Sequence, residues 1–286
     1  GLRGAGVTAL SLRRQAGTAA PAVEHPGWWG RRLGPGLLVV LLVAWSLHAT
    51  GAGLGSLLAG REQGARLVAG LLRPDLDPAV LRTVGTAALE TVQIALAGLV
   101  LAVVLAAPLA LLLSGVGGAP ALVRVPARLV ATGLRGVPEL VWALVLVATV
   151  GLGPAAGVHA LALHGAGLLA KLWAEQLEAV DPRPVEALRL TGAGRGAVLA
   201  LAVLPQARAG LASLALYQWE CNVRTATVLG FVGAGGLGQA IDLSLRLFDY
   251  GRLSTAVLAV LVLVVGVDAV SRAMRRRLGA QTTVPA

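Results

Sequence analysis

A chain of 286 residues that is 56% hydrophobic and only 13% charged, with a mean hydropathy of +0.78, is not an ordinary soluble domain, where about 25% of residues are charged. The formal net charge of +10 is nearly all arginine, Lys171 being the only lysine, and aromatics make up 3% of the chain; without basic and aromatic residues interleaved, the excess reads as a membrane-topology signal and not as a nucleic-acid surface. One cysteine, Cys221, excludes an internal disulfide or a cysteine-based metal site, and the scattered His25, His48, His159 and His164 lack the spacing of a helical metal pair, so no metal is expected.

In chain order, residues 1–33 are too broken by arginine for a signal peptide and read as a basic cytoplasmic tail. A helix needs about 20 mainly apolar residues to cross a bilayer, and the chain offers six such stretches. Gly34–Gly51, with Trp45 at an interfacial end, is the first; Thr91–Gly115, containing Pro108, is the second. Val137–Gly153 and Pro154–Gln176 are the third and fourth; Gly196–Trp219 leads into the fifth, and Leu253–Met274 is the sixth. Residues 34–83 thus combine the first span with an outer segment over 54–83, punctuated by "RPDLDP", that reads either as an amphipathic helix on the interface or as a solvated loop. Residues 84–278 form the core, and 279–286 a C-terminal tail. In the second span, Gly98, Ala102, Ala106 and Ala110 recur at the spacing that lets helices approach closely.

Arginine placement orients these spans. Arg13, Arg14, Arg31 and Arg32 precede the first, and Arg272, Arg275, Arg276 and Arg277 follow the last. Arg124, Arg128 and Arg135 lie between the second and third, and Arg183, Arg189 and Arg195 between the fourth and fifth. Six crossings put all of them on one side, which the positive-inside rule makes cytoplasmic, with both termini. The expectation is an all-α multi-pass protein of the bacterial plasma membrane.

The stretch "VGAGGLGQA" (Val232–Ala240) fits the G-x-G-x-x-G dinucleotide fingerprint at Gly233, Gly235 and Gly238. "TATVLGFV" before it could pass as a strand, but a membrane span follows, no second strand appears, and the topology puts the glycines outside. The expectation is a tight non-helical turn at a membrane boundary, formed by Gly233, Gly235, Gly236 and Gly238, where glycine alone tolerates positive φ. No G-x-x-x-x-G-K-[ST] occurs, so the chain is not expected to hydrolyse ATP itself or to hold a cofactor.

Between the fourth and fifth spans, Glu186, Ala187, Gly192, Leu204 and Pro205 stand at the spacing of the E-A-A-x-x-x-G-(x)9-I-x-L-P motif of ABC-importer permeases, with Leu188 and Ala202 departing from it. A short helix over about 184–196, with Pro184 near its start and Glu186 in its first turn, would be broken or bent at Gly192. Further on, "WE-x-N-x-R-x-ATVLG" (Trp219, Glu220, Asn222, Arg224, Ala226–Gly230) resembles the permease subunits of phosphonate-type ABC importers. The similarity covers roughly residues 80–278 and is strongest after Glu186. It implies a type I importer fold, a second permease copy, two ATPases that bind ATP and Mg, and an outer substrate-binding protein. The implied substrates are phosphonate, phosphite or phosphate; a permease for methionine or betaine is the alternative. In this reading Glu186, Ala187, Gly192, Leu204 and Pro205 couple to the ATPase, while Glu220, Asn222, Arg224 and the glycine turn belong to the translocation path or gate.

Charges within the spans are functional suspects. Glu220 and Arg224, at i,i+4, read either as a cationic station for an oxyanion tempered by Glu220 or as a salt bridge fixing the outer end of the fifth span. Glu90 reads as an interfacial or helix-start charge, Lys171–Glu175 as a bundle-facing pair, and Asp268–Arg272 as a surface pair.

Overall fold

The computed structural model describes residues 28–51, 61–118 and 120–279. The expected N-terminal tail up to residue 27, residues 52–60 of the outer segment and the C-terminal tail from 280 lie outside these. Every regular element among the described residues is helical, and the chain divides into two units between Glu62 and Gln63. The first contributes α1 (Trp28–Ala49), which begins before the expected tail boundary at 33 and carries exposed Leu37, Val40 and Trp45.

The division falls in the first turn of α2 (Arg61–Leu71), and α3 (Pro78–Leu113) follows. The 36 residues of α3 span about 54 Å at 1.5 Å each, well beyond a hydrocarbon core of about 30 Å. It starts at Pro78 and not at Thr91. "RPDLDP" is a helix start: Asp75 Oδ1 accepts Asp77 N–H (3.0 Å), Asp77 Oδ1 accepts Ala79 N–H (2.8 Å), and Pro78 pre-sets the first turn. Gly98, Ala102, Ala106 and Ala110 are all buried, and a Cβ at Gly98 would lie 2.8 Å from Leu161 Cβ of α6 (Pro154–Glu178). The small-residue stripe is thus the α3–α6 seam.

The third expected span is only the outer part of a broken one. α4 (Ala121–Gly136) and α5 (Glu139–Val150) meet at 88°, and the pair together is long and apolar enough to cross. Arg124, Arg128 and Arg135 therefore sit on a helix and not in a loop. Pro138 forces Val137 into extended backbone (φ −91°, ψ 122°), which ends α4. The carbonyls freed there are taken up: Trp142 Nε1 donates to Leu134 O (3.2 Å), and His164 Nδ1 lies 3.1 Å from Val137 O.

After α7 (Pro182–Leu190) comes α8 (Arg195–Val232), continuous except for a wide π turn over Leu199–Val203. In that turn Leu204 N–H reaches back to Leu199 O, immediately before Pro205, which has no N–H to give. The chain is thus already helical ten residues before Pro205. "TATVLGFV" is the end of α8 and not a strand: Asn222, Val223, Ala226, Leu229 and Gly230 are buried at helical spacing. α9 (Gly236–Arg246) and α10 (Tyr250–Arg277) complete the fold. Of the six expected spans, α3, α6, α8 and α10 qualify as single helices, α4–α5 as a bent pair, and the apolar part of α1, Pro35–Ala49, is shorter. Glu178 Oε1 accepts Gly115 N–H (3.0 Å) and Arg195 Nη1 donates to Gly118 O (3.2 Å), so the C-terminal ends of α3 and α6 and the arginine-bearing start of α8 share one side.

Candidate functional site

At the opposite ends of these helices lies the glycine turn. Gly233 (φ +88°), Gly235 (φ +85°) and Gly236 (φ +72°) adopt backbone that side chains disfavour, and residues 234–238 are buried. Gly238 is different: its φ is ordinary, but a Cβ there would collide with Thr227 O and lie 2.8 Å from Gly230 Cα, so α8 and α9 touch backbone to backbone. Three groups fasten the turn from outside it. Gly153 N–H donates to Gly233 O (2.9 Å), Glu90 Oε2 accepts Gly236 N–H (3.1 Å), and Thr91 Oγ1 accepts Leu237 N–H (2.9 Å). Glu90 is a helix-start charge, but for α9 and not for its own helix.

The charged and amide residues of α8 separate. Glu220 does not pair with Arg224; its Oε1 meets Arg275 Nη2 of α10 at 2.5 Å, with both side chains largely buried. Asn222 is buried, accepts from Gln218 Nε2 (2.9 Å) and donates to Ala95 O of α3 (3.2 Å). Arg224 is exposed, and its Nη2 donates to Cys221 Sγ at 3.6 Å. Lys171 and Glu175 pair at 2.6 Å, but with side chains 47% and 54% exposed they face away from the bundle interior. Asp268 and Arg272 pair on the exposed side of α10.

On the arginine-rich side, α7 stands out as a knob. It begins at Pro182, capped by Asp181 Oδ1 accepting Arg183 N–H (3.0 Å), so Glu186 lies past the first turn. Gly192 (φ +80°) follows its end. Glu186 and Ala187 are exposed, whereas Val185 is buried against Leu177, Val198 and Val203, with Leu188 packed beside it. Ala202 is buried in the same cluster; Leu204 and Pro205 are exposed at the π turn.

Sequence reasoning missed Glu139. It opens α5 at the break, its Oε1 accepts from Thr225 Oγ1 (3.4 Å), and its Oε2 lies 3.7 Å from His164 Nε2. The signal was a lone carboxylate after proline inside an apolar run. Among the described residues no cluster of three or more His, Cys, Asp or Glu side chains is placed to hold a metal ion.

The chain is a multi-pass helical bundle with a broken span, a buried glycine turn and a short helix exposed on the arginine-rich side. Residues 111–280, more than half of the chain, match the family described as binding-protein-dependent transport system inner membrane component, and the chain belongs to it. It is 38% identical over 253 residues to the phosphite transport system permease protein PtxC of Stutzerimonas stutzeri, covering 87% of this chain and 90% of that one. The phosphate-import permease protein PhnE of Mycolicibacterium smegmatis is 41% identical over 194 residues, 68% of this chain and 36% of its own length. In fold, the chain matches a structure of the MetNI methionine ABC transporter in an inward-facing conformation, with a TM-score of 0.65 and 20% identity over 71% of this chain and 99% of that one.

Proposed function

We propose that the chain is the permease subunit of an ATP-driven importer for a phosphorus oxyanion: phosphonate, phosphite or phosphate. The observation that carries this reading is the α7 knob, with Glu186 and Ala187 outward and Val185 anchored among α6 and α8 residues. Force on its exposed face would pass through Val185 to Leu177, Val198 and Val203, and so to the helices behind them. Two partner ATPases would bind ATP and Mg and supply that force; this chain would carry no hydrolysis of its own. A second permease copy would complete the path, against exposed apolar surface such as Leu140, Val141, Leu144 and Val145 of α5. An outer binding protein would deliver the oxyanion. The relatives named for phosphite and phosphate transport support the substrate class.

The test is ATP hydrolysis by the complex of this chain, its ATPase and its binding protein in proteoliposomes, against phosphate, phosphite, alkylphosphonates, methionine and betaine. Stimulation confined to a phosphorus oxyanion is expected. Stimulation by methionine or betaine would discard the substrate class, and failure of any ATPase to co-purify would discard the importer.

A further inference from the structure

The inner half of the broken span faces a charged cleft. α4 presents Arg128, Thr132 and Arg135 at i, i+4 and i+7, and α6 presents Lys171, Glu175 and Glu178 opposite them at the same spacing. The two helices meet backbone to backbone at its deep end, where a Cβ at Gly167 would lie 2.6 Å from Arg135 N and 2.7 Å from Ala131 O. Ala131 and Ala174 are too short to fill the space between the longer side chains, which leaves a cleft of about 310 Å³. One water needs about 10–15 Å³, so a hydrated tetrahedral ion has room there.

The carboxylates of the cleft are engaged and its guanidiniums are not. Glu175 pairs with Lys171 (2.6 Å), and Glu178 Oε1 accepts the Gly115 N–H (3.0 Å). Among the described residues, Arg128 and Arg135 take part in no ion pair. With Lys171 neutralised by Glu175, the cleft holds two guanidiniums against Glu178 alone. Each guanidinium is a planar fork of N–H donors that suits the oxygens of a phosphorus oxyanion. Unpaired cations within a spanning segment are costly, and they mark an ion pathway where they line a watery cavity.

The arginines also stand in order. α4 starts just after Gly118, held by Arg195 on the arginine-rich side, and ends at the Val137–Pro138 break. Arg135 is therefore the deepest; at 1.5 Å per residue Arg128 lies about 10 Å nearer the arginine-rich side, and Arg124 about 6 Å beyond it. Arg128 lines a second hollow together with Arg124, so it belongs to both steps.

We propose that Arg135, Arg128 and Arg124 form an exit station: the cleft between α4 and α6 binds the phosphorus oxyanion and passes it down the row to the side that the positive-inside rule makes cytoplasmic. The station rests on the importer reading for the ion and its direction of travel. That the cleft captures anions rests on the cleft alone.

The test uses the full chain in complex with its ATPase and binding protein, with Cys221→Ser removing the native thiol and Thr132→Cys placing one in the cleft. Anionic and cationic methanethiosulfonates of similar size are compared in neutral detergent, each scaled to its rate with a free thiol. The anionic reagent should be favoured by at least about tenfold, the lower end of electrostatic focusing in a cleft, and phosphite should slow it. Arg128→Gln with Arg135→Gln should abolish both the preference and the protection. Phosphite uptake into proteoliposomes should fall in this double variant and be partly kept by Arg128→Lys with Arg135→Lys, which retains the charge without the fork. Equal rates for the two reagents, or a preference that survives the glutamine substitutions, overturn the anion cleft. Protection by added phosphatidylglycerol and not by phosphite assigns the cleft to a lipid headgroup and overturns the station, as does undiminished uptake in the glutamine variant. Labelling needs no hydrolysis, so a complex without phosphite-stimulated ATP hydrolysis counts against the importer reading while labelling still decides the cleft.

Discussion

The carboxylate of Glu90, in the body of α3, accepts the Gly236 N–H that opens α9, a contact made across 146 residues of sequence. The first N–H groups of any helix lack intrahelical partners, and here they would otherwise be stranded at a buried glycine turn. Glu90→Ala should therefore lower stability by about 1 kcal/mol, the usual worth of a cap, and Glu90→Gln, which keeps an acceptor oxygen, by less. Thermal unfolding in detergent measures both. Equal losses in the two variants would make charge, and not the hydrogen bond, the operative feature.

The glycine turn itself divides into two kinds of glycine. Gly238→Ala should weaken the α8–α9 contact, because its Cβ collides with the Thr227 carbonyl; forced overpacking of this kind costs about 1–3 kcal/mol. Gly266→Ala, at an exposed position of α10, is the control: nothing lies within 4 Å, so stability should hold or rise slightly with the better helix former. The amount of folded chain recovered from membranes distinguishes the two. A Gly238→Ala protein recovered like the control would mean that α8 and α9 can separate without loss.

What could be read in advance followed from short-range chemistry. Arginine placement oriented the bundle, the glycine spacing announced a turn, and Gly98, Ala102, Ala106 and Ala110 announced a seam. Asp77 and Pro78 were equally local, yet "RPDLDP" was read as punctuation of an outer segment, and the cap that lengthens α3 toward the outside was missed. The misplaced features depend on partners far along the chain. Glu220 had an attractive neighbour at i+4, yet it faces α10 and takes Arg275, 55 residues away. Glu139 was submerged in an apolar run that hydropathy averages away, and its meaning comes from His164 and Thr225 on two other helices.

Glu220 and Arg275 make a prediction of their own. With side chains only 12% and 15% exposed, removing one partner leaves an uncompensated charge, at a cost of up to about 3–5 kcal/mol. Glu220→Gln and Arg275→Gln should each reduce folded yield, while the double variant should be more stable than the sum of the single losses allows. A double-mutant cycle on Tm measures the coupling. Additive losses would show that the two side chains touch without supporting each other.

The α7 knob predicts separable effects on assembly and insertion. Glu186 is exposed and contributes nothing to the Val185 anchor, so Glu186→Lys should leave the chain inserted and folded while sharply reducing ATPase recovery on co-purification. Val185→Ser should instead loosen the knob from α6 and α8 and lower Tm, since burying a Val side chain is worth about 1.5–3 kcal/mol. Normal ATPase recovery with Glu186→Lys would rule out this face as the dock.

Arg224 is the side chain on which the two readings of the fifth span diverge. A salt bridge to Glu220 would make it structural, but Glu220 belongs to Arg275, and the contact of Arg224 with Cys221 Sγ at 3.6 Å is a weak one. An exposed guanidinium on a membrane helix is costly to keep, and its fork of donors matches a tetrahedral oxyanion. Arg224→Ala should therefore leave Tm and ATPase recovery near wild type while reducing phosphite uptake at least about tenfold, a loss of roughly 1.4 kcal/mol or more in the transport barrier. Arg224→Lys keeps the charge without the fork and should retain part of the uptake. Uptake measured in proteoliposomes beside Tm in detergent separates the outcomes. A fall in Tm that accounts for the lost uptake would return Arg224 to a structural role.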